Sequence, residues 1–306
     1  ICRKENFLDL VENFIIYDHS GGRTVKIMAR NHQYLGVNEA VEAYRTRKLR
    51  DGRLGVFWHT QGSGKSYSMV FLSQKIRRKF AGSPTIVVLT DRDELNKQIS
   101  DTFESCGCLG GVKAGAFIPS SGARLAEMLK GNPSFIFTLI QKFNNDNPEP
   151  LAPDHDIVIM SDEAHRTQNG IFADNMMKLL PTANRIGFTG TPLFAYDNIT
   201  ERTFGGYVSV YDFKRAVEDG ATVPLYYENR ADQLEITNPN ISDELTELID
   251  NENMDPDQRE KLERELARDI HIITAEKRLR AIARDFVKHY TDLWDSGKAM
   301  FVCVNK

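Results

Sequence analysis

An α/β fold organised around a doubly wound, mainly parallel sheet is predicted by three observations. They are short unbroken apolar runs, helical segments that alternate with them, and a glycine-rich turn that joins one run to the helix after it. The apolar runs are LGVFWH (54–59), TIVVLT (85–90), SFIFTLI (134–140), DIVIM (156–160) and RIGFTG (185–190). They are continuous rather than alternating, which is the pattern of strands covered on both faces. Helices are predicted between them over 66–80, 92–103, 122–130 and 171–180. Strand and helix in that order give right-handed βαβ units.

Residues 1–53 are expected to form an apron packed on the sheet domain: an extended opening, a turn at Gly21 and Gly22, and a helix from about Asn38 to Lys48. The sheet domain is expected over 54–230. Residues 231–295 begin with a stretch dominated by acids and amides and continue with Ile272, Ile273, Leu279, Ile282, Phe286 and Val287 near helical spacing. They are read as a partly flexible helical linker. The run AMFVCV (299–304), within 296–306, is expected to open a further sheet domain. A chain that starts at Ile1 without methionine and stops just after an apolar run is expected to be an excerpt of a longer protein.

Composition narrows the function classes. With 41% hydrophobic and 27% charged residues among 306, a sizeable core is available and a disordered chain is excluded. A formal net charge of −4 excludes a strongly basic domain, so any nucleic-acid contact must rest on local patches. The four cysteines, Cys2, Cys106, Cys108 and Cys303, have no zinc spacing and are read as reduced thiols. No apolar run approaches the roughly 18 to 20 residues that span a bilayer. The amino end carries charges where a signal peptide needs an apolar stretch, and a cytoplasmic protein is expected.

The sharpest signal is HTQGSGKS (59–66), set between a strand and a helix. Such a turn lets successive backbone N–H groups from Thr60, Gln61, Gly62, Ser63 and Gly64 point at one spot, where the helix dipole favours an anion. Glycine at 62 and 64 permits close backbone approach, Lys65 can reach β and γ phosphates, and the Ser66 hydroxyl can ligate Mg²⁺. His59 stands where the strict pattern has glycine. The bland alternative is a Gly-Ser-Gly turn before an ordinary helix. A second signal is DIVIMSDEAH (156–165), an apolar strand ending in two carboxylates. Ligands collect at the carboxyl ends of parallel strands, so Asp162 and Glu163 are expected to face the same crevice as the loop. Asp162 is the candidate Mg²⁺ partner and Glu163 the candidate to orient and deprotonate an attacking water. Taken alone, the pair would be read as helix-capping acids.

With GSGKS (62–66), DEAH (162–165) and TGTP (189–192) in this order, the chain resembles superfamily 2 helicases. VVLTDRDELNKQ (87–98) and TLIQKF (138–143) look like two further motifs of that superfamily. The resemblance implies a RecA-like P-loop NTPase domain that uses ATP and Mg²⁺. It adds His165 to the catalytic set and gives Thr189, Gly190 and Thr191 a part in coupling nucleotide state to nucleic acid. It makes Thr90, Arg92, Gln141 and Lys142 the DNA contacts. Gln33 takes the place of an adenine-reading glutamine; a surface glutamine before a helix is the other reading. Thr189 and Thr191 can likewise be residues of a mere turn. The basic clusters RTRKLRDGR (45–53) and KIRRK (75–79) are expected to flank a turn and to face water, respectively.

The wording HTQGSGKS, the run DRDELNKQ and the stretch FGGYVSVYDFKRAVEDGATVPLYYENR (204–230) more specifically resemble the R subunits of type I restriction-modification enzymes. That resemblance implies double-stranded DNA as the track, contacted through its backbone without base preference. It also implies methylase and specificity subunits as partners. Other readings are a different superfamily 2 motor, such as a DEAH-type RNA or repair helicase, and a nucleotide-binding assembly module that does not turn over. No acid followed by a Glu-x-Lys triad precedes the motor, so this stretch is not expected to cut DNA. A second RecA-like domain would supply arginines across the nucleotide cleft, and an arginine finger contributes roughly 10³ to 10⁵ in rate. Residues 1–306 alone are therefore expected to bind ATP·Mg²⁺ but hydrolyse it poorly; brisk turnover stimulated by duplex DNA would refute this.

Overall fold

The computed structural model describes residues 3–145, 148–151, 155–164, 171–191, 198–228, 276–293 and 298–302. The chain divides into two compact units, Ile1–Pro224 and Leu225–Lys306. The first holds strands β1 (Ile15–Asp18), β2 (Val25–Met28), β3 (Arg53–His59), β4 (Thr85–Thr90), β5 (Phe135–Leu139), β6 (Ile157–Ser161), β7 (Asn184–Thr189) and β8 (Tyr207–Tyr211). Its helices are α1 (Lys4–Asn13), α2 (Asn31–Arg45), α3 (Lys65–Lys79), α4 (Asp93–Ser105), α5 (Gly122–Lys130), α6 (Ile171–Leu179), α7 (Asn198–Phe204) and α8 (Phe213–Glu218).

Six strands form one sheet in the order β5-β4-β6-β7-β3-β8, all pairs parallel. The apolar runs explain the layering. In β4, Ile86 and Val88 pack into a core with residues of α1 to α4, whereas Val87 and Leu89 pack with Leu125 and Leu129 of α5 and Met176 of α6. Period-two alternation thus feeds two cores at once, and every residue of β4, β6 and β7 is buried. The sheet is doubly wound, as the sequence predicts.

The amino-terminal region departs from expectation. The opening is not extended: Lys4–Asn13 is helical, because Leu10 and Phe14, four residues apart, reach the core from one side. β1 and β2 pair as an antiparallel hairpin, and Gly21 and Gly22 take φ of 70° and 73° in its turn. α2 begins seven residues before the expected Asn38, because the Gln33 side chain accepts a hydrogen bond from the Arg30 amide at 3.0 Å and starts the helix there. The cations that end α3 do not all face water either. Lys75 is buried, with its ammonium 2.5 Å from Asp9 Oδ1 and 2.5 Å from Asn38 Oδ1, tying α1 and α2 to α3. Arg77 donates to the carbonyl of Pro84 at 2.9 Å. The turn at Asp51 and Gly52 is present, with φ of 50° and 73°.

β8 and α8 lie inside the long 204–230 stretch and were not among the predicted elements. β8 alternates buried and open positions, so it has no continuous apolar run, yet it pairs with β3 as the last strand of the sheet. In the second unit, α9 spans Glu276–Asp292, and Phe286 meets the ring of Phe301 at 5.4 Å between centroids. The described residues 298–302 of the expected terminal strand are not in a strand. Cys106 and Cys108 are free thiols, and burial pushes them up to about 12 and about 11. Among the described residues no helix is long and apolar enough to cross a membrane.

α2 approaches the sheet most closely at Gly36, where an added Cβ would stand 2.5 Å from Ser209 Oγ and 2.8 Å from Phe57 Cε2. Glycine to alanine within an exposed helix stabilises by about 1 kcal/mol. Here overpacking reverses the sign, and Gly36→Ala is expected to cost about 1–3 kcal/mol in urea unfolding. An unchanged or raised midpoint would show that the contact is slack.

Candidate nucleotide site

Parallel strands put their carboxyl ends along one edge of the sheet, and the predicted residues gather there. The loop after β3 turns through Gly62 and Gly64, with φ of 82° and 85°, left-handed values that favour glycine. Ser63 N–H donates to the Thr60 carbonyl at 3.2 Å, and Thr60 N–H to the Tyr211 carbonyl at 2.9 Å. Thr60 and Ser63 are buried, Gln61 and Gly62 are open to solvent, and Gly64, Lys65 and Ser66 are half-buried at the start of α3. The Lys65 ammonium donates to the carbonyl of His59 at 3.2 Å. Burial pushes its pKa below the usual lysine range, while Glu163 and Asp162 pull it back up.

The acid pair lies two strands away, across β7. Ser161 of β6 pairs with Gly187 of β7, and Trp58 of β3 with Thr189. Asp162 N–H then donates to the Leu89 carbonyl of β4 at 2.8 Å, which carries the β6 backbone one residue past the strand. Burial pushes the Asp162 carboxyl up to about 6, with Glu163 adding to the rise, Lys65 and a backbone bond at Glu163 opposing it, and Asp91 contributing further. Glu163 sits at φ 48°, a conformation costing a non-glycine residue on the order of 1–3 kcal/mol. Such strain concentrates where the chain must aim a side chain. His165 lies outside the described residues.

Between these groups β7 ends in the third predicted motif. The buried Thr189 hydroxyl donates to the Thr191 carbonyl at 3.1 Å and accepts from its amide at 3.2 Å, closing a tight turn. Gly190 lies against the loop: a Cβ there would stand 3.2 Å from Lys65 Nζ and 3.6 Å from the Gln61 amide nitrogen. Gly190 is thus the residue that lets this turn touch both cradle and lysine.

The four expected DNA-contact residues lie at the carboxyl ends of β4 and β5: Thr90 closes β4, and Arg92, Gln141 and Lys142 follow the two strands. Arg92 is largely exposed, with Nε 3.4 Å from Asp91 Oδ2. Gln141, also exposed, donates to the Asp91 carbonyl at 3.0 Å, and Lys142 donates to the Pro119 carbonyl. Thr90 differs: its side chain is fully enclosed and its hydroxyl donates to the Arg92 carbonyl at 3.4 Å, so it shapes the turn and offers no surface.

Gln33 reaches the loop rather than open solvent. It is buried, and its Nε2 donates to the Gly64 carbonyl at 2.9 Å and to Ser68 Oγ at 3.3 Å. Residues that sequence reasoning missed stand beside it. His32 Nε2 is 2.9 Å from the Ser63 carbonyl, and its ring stacks on Tyr211 at 3.9 Å between centroids. His59 is buried with Nε2 2.9 Å from Ser209 Oγ, and burial pushes its pKa down to about 3, so it is neutral. Asp91, whose carbonyl accepts from Gln141 and whose carboxylate stands 3.4 Å from Arg92 Nε, adds like charge that raises Asp162 further. Adjacency to Gln33 is the one sequence signal that pointed toward His32; Tyr211 and Ser209 belong to the strand that lacked an apolar run.

The edge therefore assembles an anion cradle, an ammonium group and two carboxylates, one with a raised pKa. Hydroxyl and carboxylate oxygens at Ser66 and Asp162 are hard donors suited to magnesium, and the glycine cradle suits phosphate.

Residues 32–260 match the SWI2/SNF2 ATPase family. Over 99% of its length the chain is 37% identical to the type I restriction enzyme HindI endonuclease subunit of Haemophilus influenzae. Over 100% of its length it is 35% identical to the protein of Methanocaldococcus jannaschii named as the MjaIXP type I restriction enzyme endonuclease subunit. The chain spans 30% of the length of each of these relatives. Among solved structures, the ATP-dependent Type ISP restriction-modification enzyme LlaBIII bound to DNA aligns with 67% of this chain and 17% of its own, at 17% identity and a TM-score of 0.49.

A carboxyl raised from 3.8 to about 6 binds more protons in the folded than in the unfolded chain between those values. Its contribution is therefore fully present near pH 4 and lost as pH rises through about 6. Asp162→Asn is expected to raise stability at pH 7.5 by about 2 kcal/mol and to leave it unchanged near pH 4, read by urea unfolding at both. An equal gain at the two pH values would rule out titration as the cause.

Proposed function

The chain belongs to the SWI2/SNF2 ATPase family, and from that premise we propose that it is the ATP-driven, double-stranded DNA translocase motor of a type I restriction endonuclease subunit. One observation carries this reading: the glycine cradle with Lys65 and the acid pair Asp162 and Glu163 lie on one sheet edge, with Gly190 between them, where even an added Cβ would stand 3.2 Å from Lys65 Nζ. In this reading amides of Thr60 to Gly64 and the Lys65 ammonium bind the phosphates of ATP. Ser66 and Asp162 would hold Mg²⁺, which when bound neutralises charge on the phosphate oxygens.

Glu163 orients the attacking water and accepts its proton, and His165 completes the acidic motif. The strained backbone at Glu163 aims the carboxylate into the crevice and adds no binding of its own. Thr189, Gly190 and Thr191 couple the two ends of the site: a shift of the phosphates against Lys65 is felt by the turn that touches it. Arg92, Gln141 and Lys142 contact the DNA backbone, with Thr90 shaping the turn beneath Arg92. Contacts to phosphate position a protein without reading sequence, so binding is salt-sensitive and without base preference.

The similarity to type I restriction enzyme endonuclease subunits extends over the whole chain. It supports a place beside methylase and specificity subunits in the cytoplasm, with target choice left to the specificity subunit.

ATP binding and residual turnover, with and without duplex DNA, test the assignments. Lys65→Ala is expected to weaken ATP binding roughly 100-fold, the loss of charge-assisted hydrogen bonds. Glu163→Gln is expected to retain binding and lose turnover. Normal binding and hydrolysis by both variants would overturn the roles, and a tight sequence-specific DNA site on this chain would overturn the translocase reading.

A further inference from the structure

α8 ends beside the phosphate loop, and its ending aims one side chain at that loop. Gly220 takes φ 65°, its N–H donates to the Val217 carbonyl at 3.0 Å, and the Ala221 N–H donates to the Ala216 carbonyl at 2.8 Å. This pair of bonds around a left-handed glycine reverses the chain after a helix. The mount is firm at its base. Ala216 is fully enclosed, and the Tyr211 hydroxyl donates to Asp219 Oδ2 at 2.9 Å while its ring stacks on His32. Thr222, two residues past the glycine, comes to lie on Gly62: a Cβ there would stand 3.6 Å from Thr222 Cγ2. Thr222 Oγ1 is enclosed and has no hydrogen-bond partner among the described residues. Ser63 Oγ, next to Gly62 in the loop, is enclosed and unpartnered in the same way. Native interiors leave few such groups, and each asks for a reason.

The hydrogen bonds of the loop itself supply one. The Ser63 amide donates to the Thr60 carbonyl at 3.2 Å, across a turn in which Gly62 has φ 82°. An N–H engaged there is not available to an anion. A peptide unit is planar and trans, so its N–H and C=O point in opposite directions. Releasing the Ser63 N–H toward a phosphate therefore swings the Gly62 carbonyl inward, and glycine at 62 lets the backbone make that rotation without a Cβ penalty. A carbonyl turned into the protein needs a donor. Beside Gly62, the Thr222 hydroxyl is a donor with nothing to serve.

We propose that Thr222 is a positioning residue for the phosphate loop: when Ser63 turns its amide to the phosphates of the nucleotide, the Thr222 hydroxyl donates to the Gly62 carbonyl and holds the turned peptide in place. The proposal rests on the nucleotide site described above. Thr222 touches no phosphate in this role. It favours the loop conformer whose amides do, and apparent affinity falls with the fraction of loops in that conformer.

Taking away the hydroxyl and taking away the methyl have opposite effects under this proposal. Mg·ATP and magnesium tripolyphosphate, which has phosphates and no base, are titrated calorimetrically into the 306-residue wild type, Thr222→Val and Thr222→Ser. Each protein is also unfolded in urea without ligand. Thr222→Val keeps the shape of the side chain and removes a buried hydroxyl that has no partner, so its urea midpoint is expected to be no lower than that of the wild type. It is expected to weaken both ligands alike, about fivefold. Thr222→Ser keeps the hydroxyl and loses the methyl packed on Gly62; it is expected to lower the midpoint and hold both affinities within about twofold. A threonine with a merely structural part would move midpoint and affinity together in both variants, and that result overturns the proposal. So do wild-type affinities in Thr222→Val, or a loss confined to Mg·ATP. A wild type that binds neither ligand overturns the nucleotide reading and this proposal with it, an outcome seen without any variant.

Discussion

Parallel pairing from β5 through β8 forces the carboxyl ends of six strands onto one edge, and the chemistry of this chain depends on that constraint. The cradle follows β3, the threonine turn follows β7, the acid pair follows β6, and Arg92 and Gln141 follow β4 and β5. These segments are distant in sequence, and no local preference would bring them together. What does so is the burial of two apolar faces at once: Ile86 and Val88 on one side of β4, Val87 and Leu89 on the other. A one-residue slip in β4 would exchange its faces and displace Asp91 from Asp162. The site is thus a by-product of core packing, and its geometry is as rigid as the register that sets it.

The edge is electrostatically unsatisfied by design of its own fold. Asp162 is raised to about 6 by burial beside Glu163 and Asp91, and Lys65 is lowered by burial although both acids attract it. Placing like charges together in a half-buried crevice costs stability, and the Glu163 backbone adds strain. A protein selected for stability alone would replace one of these acids. Such tension is relieved by a ligand that brings both a cation for the carboxylates and an anion for the ammonium and the amides. A magnesium nucleotide is both, which is the physical reason the site and that ligand suit one another.

What could be read from the sequence follows the strength of the local signal. Five strands were legible because each is an unbroken apolar run between polar residues. GSGKS and DEAH were legible because phosphate binding fixes residue types at fixed spacing. β8 was not, because a strand open on part of one face alternates, and Tyr-Val-Ser-Val-Tyr gives too short a pattern to separate from a loop. α1 was misjudged as extended because Leu10 and Phe14 make a single helical repeat, too little to register as periodicity without the core they enter. Lys75 shows the same limit in electrostatics. A lysine near a helix end faces water unless another element brings a carboxylate, and Asp9 comes from a helix more than sixty residues earlier.

The parts that escaped the sequence are the parts that hold the loop. The Ser63 and Gly64 carbonyls accept from His32 and Gln33 of α2, Gly64 also from the Ser68 amide, and the strand that could not be foreseen takes the Thr60 amide and stacks Tyr211 on His32. Motif spacing records which residues meet a ligand; it is silent about donors that face the protein side of the same backbone. Any phosphate loop that turns two carbonyls inward raises the same question of where their donors lie. In this chain the answer ties the cradle to β8 through the Thr60 amide and the His32–Tyr211 stack. A motion that began at the phosphates would therefore have a packed route outward through α2 and β8.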